Sequence, residues 1–145
     1  MKEDSKFLET DKLMELIKNS PEKFNEMLVN GDFSDDLSLD EYLCDLLSKH
    51  NISLADVVRI SLISKSYVYQ IFNGERMPSR DILIRIGISM SCDVDEMQHL
   101  LLIAQTGVLY PKVKRDAAIL SCISQKMSLE ETNDFLEHIE ERTLL

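Results

Sequence analysis

Lys65, Ser66, Tyr69 and Gln70 fall on one side of the stretch K-S-Y-V-Y-Q-I-F-N-G, with Val68 and Ile71 on the other. At helical spacing the apolar pair faces a core and the polar set faces outward, Gln70 on the same side as Ser66. An ammonium, a hydroxyl, a phenol and a carboxamide are groups that hydrogen-bond to nucleic acid. Lys donates to guanine O6 and N7, Gln pairs with adenine N6 and N7, and Ser or Tyr reaches bases or phosphates. Ser53, Asn73 and Arg76 flank the same region. Backbone amides at a helix start and a polar loop are suited to holding phosphate there.

Those side chains need a scaffold. The pattern predicts a helix over 65–73, capped by Ser64, with a shorter helix over 54–60 laid across it. The turn L-I-S between them is short enough, and Val57 and Val58 would meet Val68 and Ile71 in the core. Helix starts are marked by capping boxes, in which the two end residues each satisfy an unpaired backbone donor. Ser38-x-x-Glu41, Asp93-x-x-Glu96 and Ser128-x-x-Glu131 have that form, and Ser53-x-x-Asp56 is a shorter variant. Asn73-Gly74 ends one helix, Pro78-Ser79 starts the next, Gly87 marks close helix packing or a kink, and Gly107 ends another. Further helices are predicted over 39–49, 80–90, 94–105, about 112–126 and 129–141, the last carrying Leu129, Phe135, Leu136 and Ile139. Ahead of them, two short helices span Thr10 to Asn19 and Pro21 to about Asn30, with residues 1–9 frayed and D-F-S-D-D a linker.

Composition narrows the function classes. The chain of 145 residues is 44% hydrophobic, which supports a sizeable core, and carries a net charge of −10. Residues 1–50 carry 6 basic and 13 acidic side chains, residues 51–91 carry 5 and 3, and residues 92–145 carry 5 and 10. The one net-positive segment is therefore the one holding Lys65 and Gln70. A continuous positive stripe through Lys65, Arg76 and Arg80 would favour DNA. Residues 1–36 read as an acidic helical arm, either a solvated face, a docking segment for a partner protein, or a mimic of DNA charge. Cys44, Cys92 and Cys122 lie among apolar neighbours and read as small core residues of a reducing compartment. The three histidines stand on separate elements, so no metal site and no cofactor is expected. The cluster Lys112, Lys114, Arg115 reads as a solvated helix face or a second phosphate contact. No G-x-S-x-G, phosphate-binding glycine loop or H-E-x-x-H is present, so an enzyme is not expected. No apolar run approaches the ~20 residues that span a bilayer, and the acidic start M-K-E-D-S-K does not read as a signal peptide.

The segment I-S-L-A-D-V-V…I-S-K-S-Y-V-Y-Q-I-F-N-G-E-R-M-P-S-R-D-I-L resembles the Cro/cI-type (XRE) helix-turn-helix, with Asn73, Gly74, Pro78, Ser79 and Leu83 at the places of that family's N-G-x-x-x-P-S-x-x-x-L pattern. The resemblance covers about residues 38–105. It implies a lambda-repressor-like five-helix domain at 37–107; with the arm at 1–36 and a two-helix extension at 108–145 read from the helical pattern, the chain is expected to be all-α. It implies a sequence-specific transcriptional regulator in the cytoplasm that puts helix 65–73 in the DNA major groove. Lys65, Ser66, Tyr69 and Gln70 would then read bases, and Ser53, Asn73 and Arg76 would contact phosphate. Pairing of half-sites calls for a homodimer, with the apolar faces of residues 108–145 as its surface. The alternative is a protein-interaction adaptor on the same fold that does not bind DNA. Leu62 stands where the family commonly has Gly, which predicts a differently shaped or strained turn, because a left-handed Leu is uncommon.

Overall fold

The computed structural model describes residues 10–30 and 38–145, and all regular elements among them are helices. They fall into two units, within 1–37 and 38–145. The first holds α1 (Thr10–Asn19) and α2 (Pro21–Asn30), packed on one another. Met14, Ile17 and Val29 are exposed there. The fraying expected of residues 1–9 and the linker expected at 32–36 lie outside what is described.

The second unit holds α3 (Leu39–His50), α4 (Leu54–Ser61), α5 (Lys65–Phe72), α6 (Arg80–Ser89), α7 (Val94–Ile103), α8 (Lys114–Ser124) and α9 (Leu129–His138). The four capping boxes form as the sequence predicts, at Ser38, Ser53, Asp93 and Ser128. Helix α5 packs on α3 and α4, α6 on α4, α7 and α9, and α8 on α7 and α9. Leu43, Val57, Val68, Leu83, Ile86 and Met97 are fully buried among them. Gly87 serves close packing, since the Met97 thioether lies where its β-carbon would be.

Helix ends differ from expectation. Helix α7 stops at Ile103, with Gln105 left-handed, so Gly107 belongs to the following loop rather than to the stop. Asn51, Ser91, Lys126 and Glu140 make similar left-handed turns after α3, α6, α8 and α9. In each, the next amide donates back to a carbonyl of the last turn, such as Cys92 N–H to Gly87 O at 3.0 Å. Phe135 is exposed, and so is Cys44, against the core placement expected of it.

Residues after Gly107 are bound to the rest by a crossed pair of ion pairs. Arg80 and Asp81 open α6, and Arg115 and Asp116 open α8. Arg80 meets Asp116 at 2.7 Å and Arg115 meets Asp81 at 3.0 Å. The remaining donors are used too: Arg80 bonds the carbonyls of Gly107 and Val108, and Arg115 those of Arg142 and Thr143. Buried charge is tolerated only when paired and hydrogen-bonded in this way. Arg115 is 7% exposed, so it is neither a solvated face nor a phosphate contact. Gln98 brackets Leu109 with bonds to both its amide and its carbonyl, and Asn133 accepts from the Leu144 amide at 2.7 Å. The tail is thus folded onto its own chain. The apolar faces of α8 and α9, including Ile119, Cys122, Leu129 and Leu136, are buried inside the unit rather than offered to a second copy.

Asp116→Asn removes the charge that Arg80 faces. It should lower the unfolding free energy by about 2–3 kcal/mol in urea denaturation, whereas Arg59→Ala, at an exposed pair, should change it by less than about 1 kcal/mol.

Candidate nucleic-acid interface

Helix α4 begins at Ser53, whose hydroxyl accepts from the Asp56 amide at 3.1 Å while Asp56 accepts from the Ser53 amide at 3.5 Å. Arg59 donates to Asp56 at 3.0 Å. These bonds to Arg59 and Ser53 hold the Asp56 carboxyl below its ordinary range. The phosphate role expected of the Ser53 region thus meets a carboxylate at the helix start, with the Ser53 amide already engaged.

The turn into α5 is left-handed at Leu62 (φ 61°, ψ 29°), with the side chain 63% exposed. Of the two outcomes expected, a differently shaped turn or a strained one, the second is found: Leu62 takes the left-handed conformation that Gly would take freely. Arg85 on α6 holds it there, donating from Nε and Nη2 to Ser61 O at 3.2 and 3.0 Å, and from Nη2 to Leu62 O at 3.0 Å. That role needs tertiary structure to be seen, because Arg85 is over twenty residues from the turn in sequence.

Ser64 caps α5 by accepting from the Tyr67 amide. Val68, Ile71 and Phe72 are buried, which leaves Lys65, Ser66 and Tyr69 exposed and Gln70 half-buried. The Lys65 ammonium lies 5.6 Å from the centre of the Tyr69 ring. Helix α5 ends in a reversal at Gly74 (φ 80°), with Gly74 N–H donating to Ile71 O and Glu75 N–H to Gln70 O at 2.8 Å. Asn73 and Arg76 are exposed, and Arg76 folds back over α5. Its guanidinium lies 4.9 Å from the centre of the Tyr67 ring, and its Nη1 donates to Gln70 Oε1 at 3.2 Å. Tyr67 was not among the site residues expected from sequence.

The continuous positive stripe through Lys65, Arg76 and Arg80 that would favour DNA is not formed, because Arg80 is committed to Asp116 and two carbonyls. Arg59 is paired with Asp56 and Arg85 is spent on the turn. Lys65 and Arg76, both exposed and both over tyrosine rings, are the cations that α5 and its following loop present.

A second cluster ties α3 to α7. His50 Nε2, Cys92 Sγ and a Glu96 carboxylate oxygen lie within 4.8 Å of one another, a grouping that the separate positions of the histidines did not suggest. Glu96 is 6% exposed. Its Oε1 lies 2.9 Å from His50 Nε2 and its Oε2 2.6 Å from the Lys49 ammonium. Lys49 thus stands at the carboxylate as its cation, and the cluster acts as an ion-pair tie. Burial pushes the Glu96 carboxyl up, but Lys49, the Asp93 amide and His50 outweigh it and hold it below the ordinary range. Burial, with Glu96 and Asp93 nearby, pushes the Cys92 thiol up to about 12, so it stays protonated.

Arg85→Met should lower stability by about 2 kcal/mol in chemical denaturation, since it strands two carbonyls and releases a left-handed Leu. Because the folded Glu96 carboxyl is depressed, its stabilisation is present above the ordinary carboxylate range and is lost as pH falls through the folded value. The urea midpoint of the native chain should exceed that of Glu96→Gln at pH ~7 and converge toward it near pH ~3.

Residues 46–96, from late α3 to the first turn of α7, match the helix-turn-helix family model. Comparisons with curated proteins and with solved structures find no match.

Proposed function

With residues 46–96 a helix-turn-helix of the Cro/cI type and the fold around them lambda-repressor-like, we propose that this chain is a sequence-specific regulator of transcription that reads duplex DNA with α5. The observation that carries the reading is the unit α4–turn–α5 itself: the left-handed turn is kept at Leu62, and α5 turns Lys65, Ser66 and Tyr69 outward while Val68 and Ile71 hold it to the core. In the proposed complex Lys65, Ser66, Tyr69 and Gln70 face base edges, and Ser53 and Asn73 approach phosphates at either end. Such a regulator works in the cytoplasm; among the described residues no helix is long and apolar enough to cross a membrane. One module reads only a few base pairs, so a homodimer on two half-sites is part of the proposal. If residues 108–145 supply the contact, Tyr110, Val113, Phe135 and Leu145 are large apolar side chains that remain exposed there.

A protein-interaction adaptor is the second reading. It is favoured by the net charge of −10 and by the exposure of Leu62 and Met77 on either side of α5. In that reading the acidic arm is a docking segment for a partner protein.

Titration of randomised duplex DNA with the full chain at two salt concentrations separates the readings. The regulator should enrich a motif and lose affinity steeply with salt, as counterion release requires. Lys65→Ala should relax the motif at one position. Binding at low salt no better than that of an unrelated acidic protein would leave the adaptor reading in its place.

A further inference from the structure

We propose that Arg76, Tyr67 and Gln70 act as one unit that selects guanine in the major groove, with Arg76 orienting Gln70 and donating to the base beside it rather than clamping phosphate. The inference rests on the DNA-binding reading above and deepens it.

The unit is assembled by the end of α5. Asn73 closes the helix, and the left-handed Gly74 turns the chain back, so the residue two beyond Gly74 returns over the surface of α5. A β-carbon at Gly74 would press on the Asp40 carboxylate at 3.1 Å as well as strain the backbone, so the reversal depends on Gly twice over. Arg76 then meets two side chains one turn apart on α5. The ring of Tyr67 lies beneath its guanidinium, 4.9 Å from the ring centre, and fixes the plane of the fork. Its Nη1 bonds the Gln70 side chain at 3.2 Å.

That bond determines how Gln70 faces outward. A guanidinium has donors and no acceptor, so the carboxamide must turn its oxygen toward Arg76 and leave its NH2 group for a ligand. Adenine recognition by Gln needs both ends of the amide, the oxygen accepting from N6 and the nitrogen donating to N7. Here a cationic donor already takes one of the oxygen's two lone pairs, so adenine N6 would have to share that oxygen with Arg76. Gln70 Nε2 and the remaining N–H groups of Arg76 make the unit predominantly a donor surface. Guanine, with O6 and N7 both acceptors, is the base edge that matches them. Spacing alone assigns Gln70 to adenine and Arg76 to phosphate.

The test is motif enrichment from randomised duplexes by the full chain and by Gln70→Ala, Arg76→Ala and Arg76→Lys, together with the side-chain amide resonances of Gln70 in the DNA-free protein. The native chain should enrich guanine at one position. All three variants should lose that preference by about tenfold or more while keeping the other positions. Arg76→Lys is the decisive variant, since it keeps the charge a phosphate needs and loses the fork that Gln70 and Tyr67 hold. In the free protein Arg76→Ala should shift the Gln70 amide resonances. Adenine enriched at the position that Gln70→Ala relaxes would overturn the inference. So would uniform weakening by Arg76→Ala with the guanine retained, and both results leave the DNA-binding reading standing. Unmoved Gln70 resonances in Arg76→Ala would overturn it without reference to DNA. A native chain that enriches no motif would remove the DNA-binding reading, and this inference with it.

Discussion

Three hydrogen bonds from Arg85 to the carbonyls of Ser61 and Leu62 hold the turn on which the rest of the site depends. A left-handed Leu costs on the order of 1–2 kcal/mol relative to the right-handed conformation, and it persists only because its surroundings fix it. Arg85 reaches the turn from α6, and α6 is positioned by α4, α7 and α9. The angle at which α5 leaves α4 is therefore set by the packing of the whole second unit. The crossed pairs Arg80–Asp116 and Arg115–Asp81 extend that dependence to residues beyond Gly107, because they join the first turns of α6 and α8.

The distribution of charge explains how an acidic chain can offer a basic site. Arginines near α5 serve different purposes. Arg80 and Arg115 hold segments together, Arg85 holds a turn, and Arg59 meets Asp56. Lys65 and Arg76 instead lie over tyrosine rings on the outward side of α5, where stacking orients them without cancelling their charge. Local positive charge thus comes from two oriented cations rather than from a broad stripe.

Much of the fold was legible because helix starts are local. A Ser or Asp cap and an acidic residue three positions on make a self-contained device, and the boxes at Ser38, Ser53, Asp93 and Ser128 formed where their spacing placed them. Stops were less legible. Gly74 announces one, but Asn51, Ser91, Gln105, Lys126 and Glu140 turn left-handed with no glycine to mark them. The outward placement of Lys65, Ser66 and Tyr69 follows from helical periodicity alone. The roles of Arg76, Arg80, Arg85 and Arg115 do not, because a long flexible side chain can reach a partner on another element and nothing in its neighbourhood names that partner. The same holds for His50, Cys92 and Glu96, which meet only when α3 and α7 pack.

If α5 is the surface that meets DNA, backbone amide shifts of the full chain, followed while a duplex enriched by selection is added, should show saturable changes concentrated at Lys65, Ser66, Tyr69, Gln70 and Arg76, with α8 and α9 little affected. Saturable changes confined to other helices, or none at low salt, would contradict that reading.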